Sequence, residues 1–291
     1  MFAEYTLELG MNSSRNILIS GASFAGLATA FWMKKAGFNV TVVEIAEGLQ
    51  KGGTPVNIRN NTVDIVKRMG LFDQIQSNRL NMQETELMSA DGVAERPSRG
   101  QDDGEQQAAD ADIEIERDVL LNLIFDAVKK EGVEFIFGDS IASLGEENNG
   151  IDVSFRKGSR RSFDLVFGCD GVHSDVRKFW FGAEEEFSHF LGAYGSVTIV
   201  DRLLIPENTS QMYNEPGRLA SLSAYNNKTD IILIFSSEQE IPYDYRDKEQ
   251  KRDILMSRFS GVGWRTQELL EEVKRSENFY FDKLSQIKMP S

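Results

Sequence analysis

The sequence is poor in the residues that disulfide and metal chemistry require. Of 291 residues one is cysteine, Cys169, and two are histidines, His173 and His189. A single cysteine excludes an intrachain disulfide framework and any multi-cysteine metal site, and two histidines argue against a His-rich metal centre. Basic residues are also scarce: 32 Lys and Arg face 46 Asp and Glu, for a net charge of -14. That balance disfavours a nucleic-acid partner, whose phosphates would be repelled at long range. Long hydrophobic runs are missing as well. The nearest approach, residues 17–33, is uncharged, follows Arg15 and contains the cleavage-like triplet Ala28-Thr29-Ala30. It is shorter than the roughly 20 apolar residues of a membrane span, and Gly21, Ser23 and Gly26 interrupt it. The expectation is a cytoplasmic, metal-free protein with no membrane span.

What remains is an ordinary globular composition, 41% hydrophobic and 27% charged, long enough for one large domain or two. Residues 1–12 read as a leader without a recognisable site, with Met11 an alternative start. Residues 16–20 form a short apolar strand, 24–36 a helix closed by Gly37, and 39–44 (NVTVVE) a β-branched strand. Strand, glycine turn, helix and strand in about 30 residues make one βαβ unit and hence a parallel sheet. A second helix is predicted over 62–69, a strand over 85–89 and a solvated acidic loop over 101–116. A helix over 117–130 then leads into strands at 133–137, 151–156 and 162–168. Beyond residue 187 strands follow one another at 190–200, 210–213, 219–225 and 231–236, which indicates an antiparallel sheet. Helices are predicted at 243–259 and 264–275, and a return strand at 279–288.

The chemistry-bearing motif is the first turn. Gly21-Ala22-Ser23-Phe24-Ala25-Gly26 follows a strand and opens a helix, a G-x-S-x-x-G variant of the dinucleotide fingerprint. Gly21 permits the turn, position 23 must be small beside a pyrophosphate, and Gly26 allows close helix packing. Glu44 ends the second strand 23 positions after Gly21, where an acid would bind a ribose 2′-hydroxyl and repel a 2′-phosphate. FAD or NAD is therefore favoured over NADP at this turn.

Together with this fingerprint, GGTPVNIRNNTVDIVKRMGL, DIEIERDVLLNLI and DLVFGCDGVHSDVRKFW resemble the class A flavoprotein monooxygenases, from about Asn16 to Ser291. This family hydroxylates aromatic compounds and includes p-hydroxybenzoate hydroxylase and the tetracycline-inactivating monooxygenases. The resemblance implies a p-hydroxybenzoate hydroxylase-like α/β fold, with a Rossmann-like FAD-binding parallel sheet over 13–184 and an antiparallel substrate layer over 185–285. Residues 286–291 would begin a return to the FAD domain. It assigns the pyrophosphate turn to Gly21, Ser23 and Gly26, and the adenosine ribose to Glu44. Gly52 and Gly53, followed by Arg59, match the loop beside the isoalloxazine, and Arg117 matches an FAD-contacting arginine. Asp170 and Gly171 match a motif that serves both FAD and the nicotinamide coenzyme, with Arg177 following at the family spacing.

Several of these residues also admit a purely structural reading. Arg117 would pair with the acidic stretch before it, Arg59 would be a solvated helix-start cation, and Asp170 would cap the following helix. His173 reads as a hydrogen-bonded turn residue, Cys169 as a buried small hydrophobe, and Glu184-Glu185-Glu186 as a solvated run.

The implied reaction uses FAD, NADPH or NADH, and O2 to hydroxylate an aromatic or polycyclic small molecule through a flavin C4a-hydroperoxide, with no catalytic side chain of its own. Phe190, Tyr194, Met212 and Tyr225 are candidate substrate walls, although aromatics on strands also serve as plain core. One family motif, a strand followed by Gly-Asp and a Pro-x-x-Gly-x-Gly helix start, has no counterpart before Ser291. This departure implies a chain lacking the C-terminal part, supplied if at all by another polypeptide, with weak FAD retention. Two alternatives remain open: a non-catalytic flavin-binding remnant or interaction module, and an NAD-dependent dehydrogenase. The latter would lack a Tyr-x-x-x-Lys pair and leave the Asp170-Gly171 segment unexplained.

Overall fold

The computed structural model describes residues 15–83, 85–97, 112–147 and 150–289. The chain opens with β1 (Asn16–Ser20), α1 (Phe24–Lys35) and β2 (Asn39–Glu44), the βαβ unit read from the sequence. Next come β3 (Val56–Ile58), α2 (Asn61–Arg68), α3 (Phe72–Ser77), β4 (Thr85–Met88), β5 (Ala94–Pro97) and β6 (Ile113–Ile115). The middle holds α4 (Arg117–Lys130), β7 (Glu134–Phe137), β8 (Ile141–Glu147), β9 (Gly150–Phe155), β10 (Arg160–Phe163), β11 (Leu165–Gly168) and α5 (Asp175–Trp180). The chain closes with β12 (Ser188–Val200), β13 (Thr209–Glu215), β14 (Arg218–Tyr225), β15 (Lys228–Ser236), α6 (Lys248–Phe259), α7 (Thr266–Arg275) and β16 (Phe279–Ile287).

Two compact units share these elements, and neither is contiguous in sequence. The first takes residues up to Gln50 together with Leu121–Phe187; the second takes Lys51–Leu120 and Ser188–Ser291. A linear division at 184 misses this because β4 pairs in parallel with β13, which draws the segment after Gln50 into the later sheet.

In the first unit a parallel sheet has the order β11-β1-β2-β7. Its two central strands, β1 and β2, are buried apolar runs: Ile17, Leu18 and Ile19 are fully buried, as is Val42. Burial of such side chains, about 1.5–3 kcal/mol each, is what holds a parallel strand in place. α1 covers the sheet with Gly26, Leu27, Ala30 and Phe31. A second, three-stranded antiparallel sheet, β10-β9-β8, shares a core of Leu18, Val43, Val153, Phe155, Phe163 and Val176 with it.

The second unit contains a seven-stranded sheet, β16-β12-β15-β14-β13-β4-β5. Side chains alternate between its faces. Tyr194, Leu222, Leu233, Phe235 and Phe281 turn to one face and pack with Leu255 and Phe259 of α6 and Leu269 of α7. Val197, Ile232, Ser221 and Met212 lie in one cross-strand row on the other face, with Asp230 and Ser223 opposite each other one step along.

Several expectations are corrected. Residues 101–111 lie outside the described part, but 113–115 are no solvated loop: they form β6, paired with β3, and Ile113 and Ile115 are fully buried. The stretch 162–168 is two strands, because Asp164 breaks the run and accepts the Asn16 N–H at 2.6 Å. The helix expected from 243 starts at Lys248, where Asp247 caps it by accepting the Gln250 N–H at 3.0 Å. Gln286 and Ile287 still pair with His189 and Ser188 of β12. The expected leader lies outside the described residues. No described helix is long and apolar enough to cross a membrane.

Candidate functional site

β1 delivers the chain to Gly21, which turns with φ +102 while its N–H donates to Val43 O at 2.8 Å. A Cβ there would sit 2.4 Å from the Cys169 carbonyl oxygen, and a Cβ on Gly26 would sit 1.9 Å from the Gly21 oxygen. Neither position has room for a side chain. Ala22 is buried and donates its N–H to Glu44 Oε2 at 2.8 Å, while Ala46 N–H reaches Glu44 Oε1 at 3.0 Å. Glu44 thus ties the turn to the end of β2, and each oxygen keeps a further lone pair for a hydroxyl donor.

Ser23 is the N-cap of α1, but its side chain makes no capping bond, and the first turn carries no acid. Phe24 is half-buried and Ala25 exposed. A helix N-terminus without a carboxylate in its first turn, behind a turn kept tight by Gly21 and Gly26, favours an anion. The turn fits a dinucleotide pyrophosphate, and Glu44 fits the neighbouring ribose.

In the same unit β11 ends at the Asp170-Gly171 turn. Asp170 Oδ1 accepts the Ser174 hydroxyl, and Oδ2 takes the Val176 N–H at 3.1 Å. Ser174 in turn accepts the Arg177 N–H at 3.0 Å. The carboxylate therefore shapes the entry to α5, the structural role its sequence position also allowed. Gly171 turns with φ +83 into open space.

Arg177 is 7% exposed; its guanidinium donates to Val172 O and lies 3.8 Å from Glu184. His173 Nδ1 lies 2.9 Å from Glu184 Oε1, and Lys178 Nζ lies 3.6 Å from Glu184 Oε2. Glu184 is thus no part of a solvated run; Glu185 and Glu186 are exposed as expected. Cys169 is half-buried beside the Thr29 hydroxyl, and burial pushes its thiol pKa up.

The second unit holds the other glycine pair. Gly52 is buried, with φ +96, and its N–H is shared by the two Asp118 oxygens at 2.9 and 3.0 Å. Its carbonyl accepts from Arg117 Nη1 at 3.1 Å. A Cβ on Gly53 would meet Arg117 Cδ at 2.7 Å. The first turn of α4 therefore holds both backbone groups of Gly52, and Arg117 lies along Gly53. Asp118 escaped the sequence reading, and only its place beside Arg117 pointed to it. Arg59, at the end of β3, is exposed and lies 4.0 Å from Asp112.

The four candidate substrate residues part company. Tyr194 is fully buried on the helix side, stacked at 5.2 Å on Phe235 and at 5.7 Å on Phe281, and its hydroxyl accepts the Ile241 N–H at 2.6 Å. It is core and has no surface to offer. Phe190 packs on the same cluster. Met212 is half-buried on the opposite face.

Tyr225 lies on that opposite face too, but it is buried and its hydroxyl donates to Asp230 Oδ2 at 2.7 Å. Asp230 is fully buried, and its Oδ1 has no partner among the described residues. Burial raises its pKa to about 6, against the pull of Tyr225 and Lys228. Among the described residues no cluster of His, Cys, Asp and Glu is arranged to hold a metal ion.

Residues 14–259 match the FAD binding domain family, and the chain belongs to it. Fold and family together define a class A flavin-dependent monooxygenase, an oxidoreductase that binds FAD. An uncharacterized protein of Mycobacterium tuberculosis strain H37Rv is 33% identical over 282 residues, covering 94% of this chain and 74% of that protein. A flavin-dependent monooxygenase of Legionella longbeachae is 29% identical over 97% of this chain and 72% of its own length. The crystal structure of tetracycline destructase Tet(51) superimposes with a TM-score of 0.83 at 29% identity, covering 96% of this chain and 72% of that one.

Proposed function

We propose that the chain hydroxylates an aromatic or polycyclic small molecule with O2 and NADPH or NADH, and that it works in the cytoplasm. FAD, when bound, would supply the redox chemistry, in which two electrons from the nicotinamide coenzyme and O2 give one oxygen atom to an electron-rich ring and the other to water. The chain's own residues bind and orient. The N–H groups of Ser23 to Gly26 hold the pyrophosphate, Glu44 the adenosine ribose, and Ala22 keeps the turn small. Arg117, Gly52 and Gly53 take the flavin-loop role implied by the resemblance, with Arg59 following them in sequence. Asp170 sets the turn that offers Gly171 to the cofactors. The face of the seven-stranded sheet that carries Met212 serves the substrate. Phe190 and Tyr194 support that sheet from the helix side, and Tyr225, bonded to Asp230, is buried on the Met212 face.

The observation that carries this reading is the tight turn onto α1, with no room for a side chain at Gly21 or Gly26 and Glu44 fixed at the end of β2. A polycyclic substrate draws support from the likeness to a tetracycline destructase. The test is oxygen uptake by the FAD-loaded chain with NADPH or NADH, with simple phenols and a tetracycline as candidate substrates. Substrate-dependent uptake and a product heavier by one oxygen atom are expected. A flavin-loaded chain that consumes no oxygen with any of them overturns the proposal.

A further inference from the structure

The β14–β15 hairpin reaches a helix entrance more than a hundred residues away in sequence. Its turn, Asn226-Asn227, has φ of 46 and 60, a left-handed pair that asparagine tolerates. From this tip Asn226 Nδ2 and Lys228 Nζ both bond the carboxylate of Glu116. The ion pair is largely enclosed, with side-chain exposures of 23% for Lys228 and 12% for Glu116. Lys228 also stands 5.1 Å above the Tyr225 ring, which the bond to Asp230 locks in place.

Glu116 is the residue before α4, and its carbonyl accepts the Leu120 N–H at 3.0 Å. The two residues that follow it, Arg117 and Asp118, are the pair that grips Gly52. Fixing Glu116 therefore fixes the direction in which α4 launches its first turn. Charge-assisted bonds in a half-enclosed setting are the strong kind, and removing the Lys228 ammonium leaves the Glu116 carboxylate short of a donor.

We propose that Lys228 and Asn226 are positioning residues for the Gly52–Gly53 loop, acting through Glu116. Tyr225 contributes by seating Lys228 rather than by touching substrate. The bearing of this clamp on flavin rests on the function proposed above; the clamp itself does not.

The test is hydrogen exchange at the Gly52 amide in the cofactor-free chain, followed by FAD titration of the same proteins. Lys228→Met is expected to speed exchange about tenfold and to weaken FAD binding by about the same factor. Lys228→Arg, which keeps the charge and the donors, is expected to restore both. Glu116→Gln keeps the shape and the Asn226 bond while removing the charge, so it probes the pair even if Lys228→Met folds poorly, and is expected to speed exchange by a smaller factor. Gly52 exchange within about twofold of the parent in both Lys228→Met and Glu116→Gln overturns the clamp. Should the unsubstituted chain fail to take up FAD, the flavin reading falls, while the exchange comparison still decides the clamp.

Discussion

Asp230→Asn isolates one charge in a buried place. The side chain is fully buried, one oxygen bonded to Tyr225 and the other without a partner among the described residues. Burial raises its pKa from an ordinary 3.8 to about 6. The folded chain therefore holds this proton more tightly than the unfolded chain does. Stability from the group is fully present below about pH 4 and is lost as pH rises to about 6. A shift of this size corresponds to about 3 kcal/mol. Asparagine keeps the acceptor for Tyr225 and never ionises, so its pH dependence lacks this component.

Near pH 4 the two proteins are expected to have nearly equal stability, since neither then carries a charge at this position. At pH 8 the variant is expected to be more stable by about 3 kcal/mol, or about 6 °C in Tm for a chain of this size. Thermal melts followed by circular dichroism from pH 4 to pH 8 read the difference directly. A gap between variant and parent that stays constant over that range would refute the reasoning.

Two further outcomes follow from packing. Gly26→Ala places a Cβ 1.9 Å from the Gly21 oxygen, so the turn must open; we expect a loss of about 3 kcal/mol in stability and of more than tenfold in FAD affinity. Parent-like FAD affinity in this variant would show that the turn is not the pyrophosphate site. Tyr194→Phe strands the Ile241 N–H, at a cost of about 1–2 kcal/mol measured by urea unfolding. Because Tyr194 is core, the KM for substrate is expected to stay within about twofold of the parent's.

The first βαβ unit was legible because every cue is local: an apolar run, a glycine turn, a helix and a β-branched strand ending in Glu44. β8 was missed because its sequence, IASLGEE, offers neither an apolar run nor a steady alternation. β6 was hidden because three residues inside an acidic stretch reveal their burial only once β3 is beside them.

Which face a strand residue uses was beyond a reading by residue type. Tyr194 and Met212 look alike as candidates, yet a register shift between Phe190 and Tyr194 and the pairing of β12 with β15 put Tyr194 under the helices. The Glu116–Lys228 pair joins segments that only the folded chain brings together. Likewise, the sequence offered both roles for Asp170, and its bonds to Ser174 and Val176 establish the structural one.

The central claim, that this chain is built around an FAD site opening at Gly21, is tested most directly by titrating the purified, folded chain with FAD and following the visible spectrum. The account predicts saturable uptake of one FAD per chain with a perturbed flavin band, lost in Gly26→Ala. A folded chain that leaves the flavin spectrum unchanged at every concentration would contradict it.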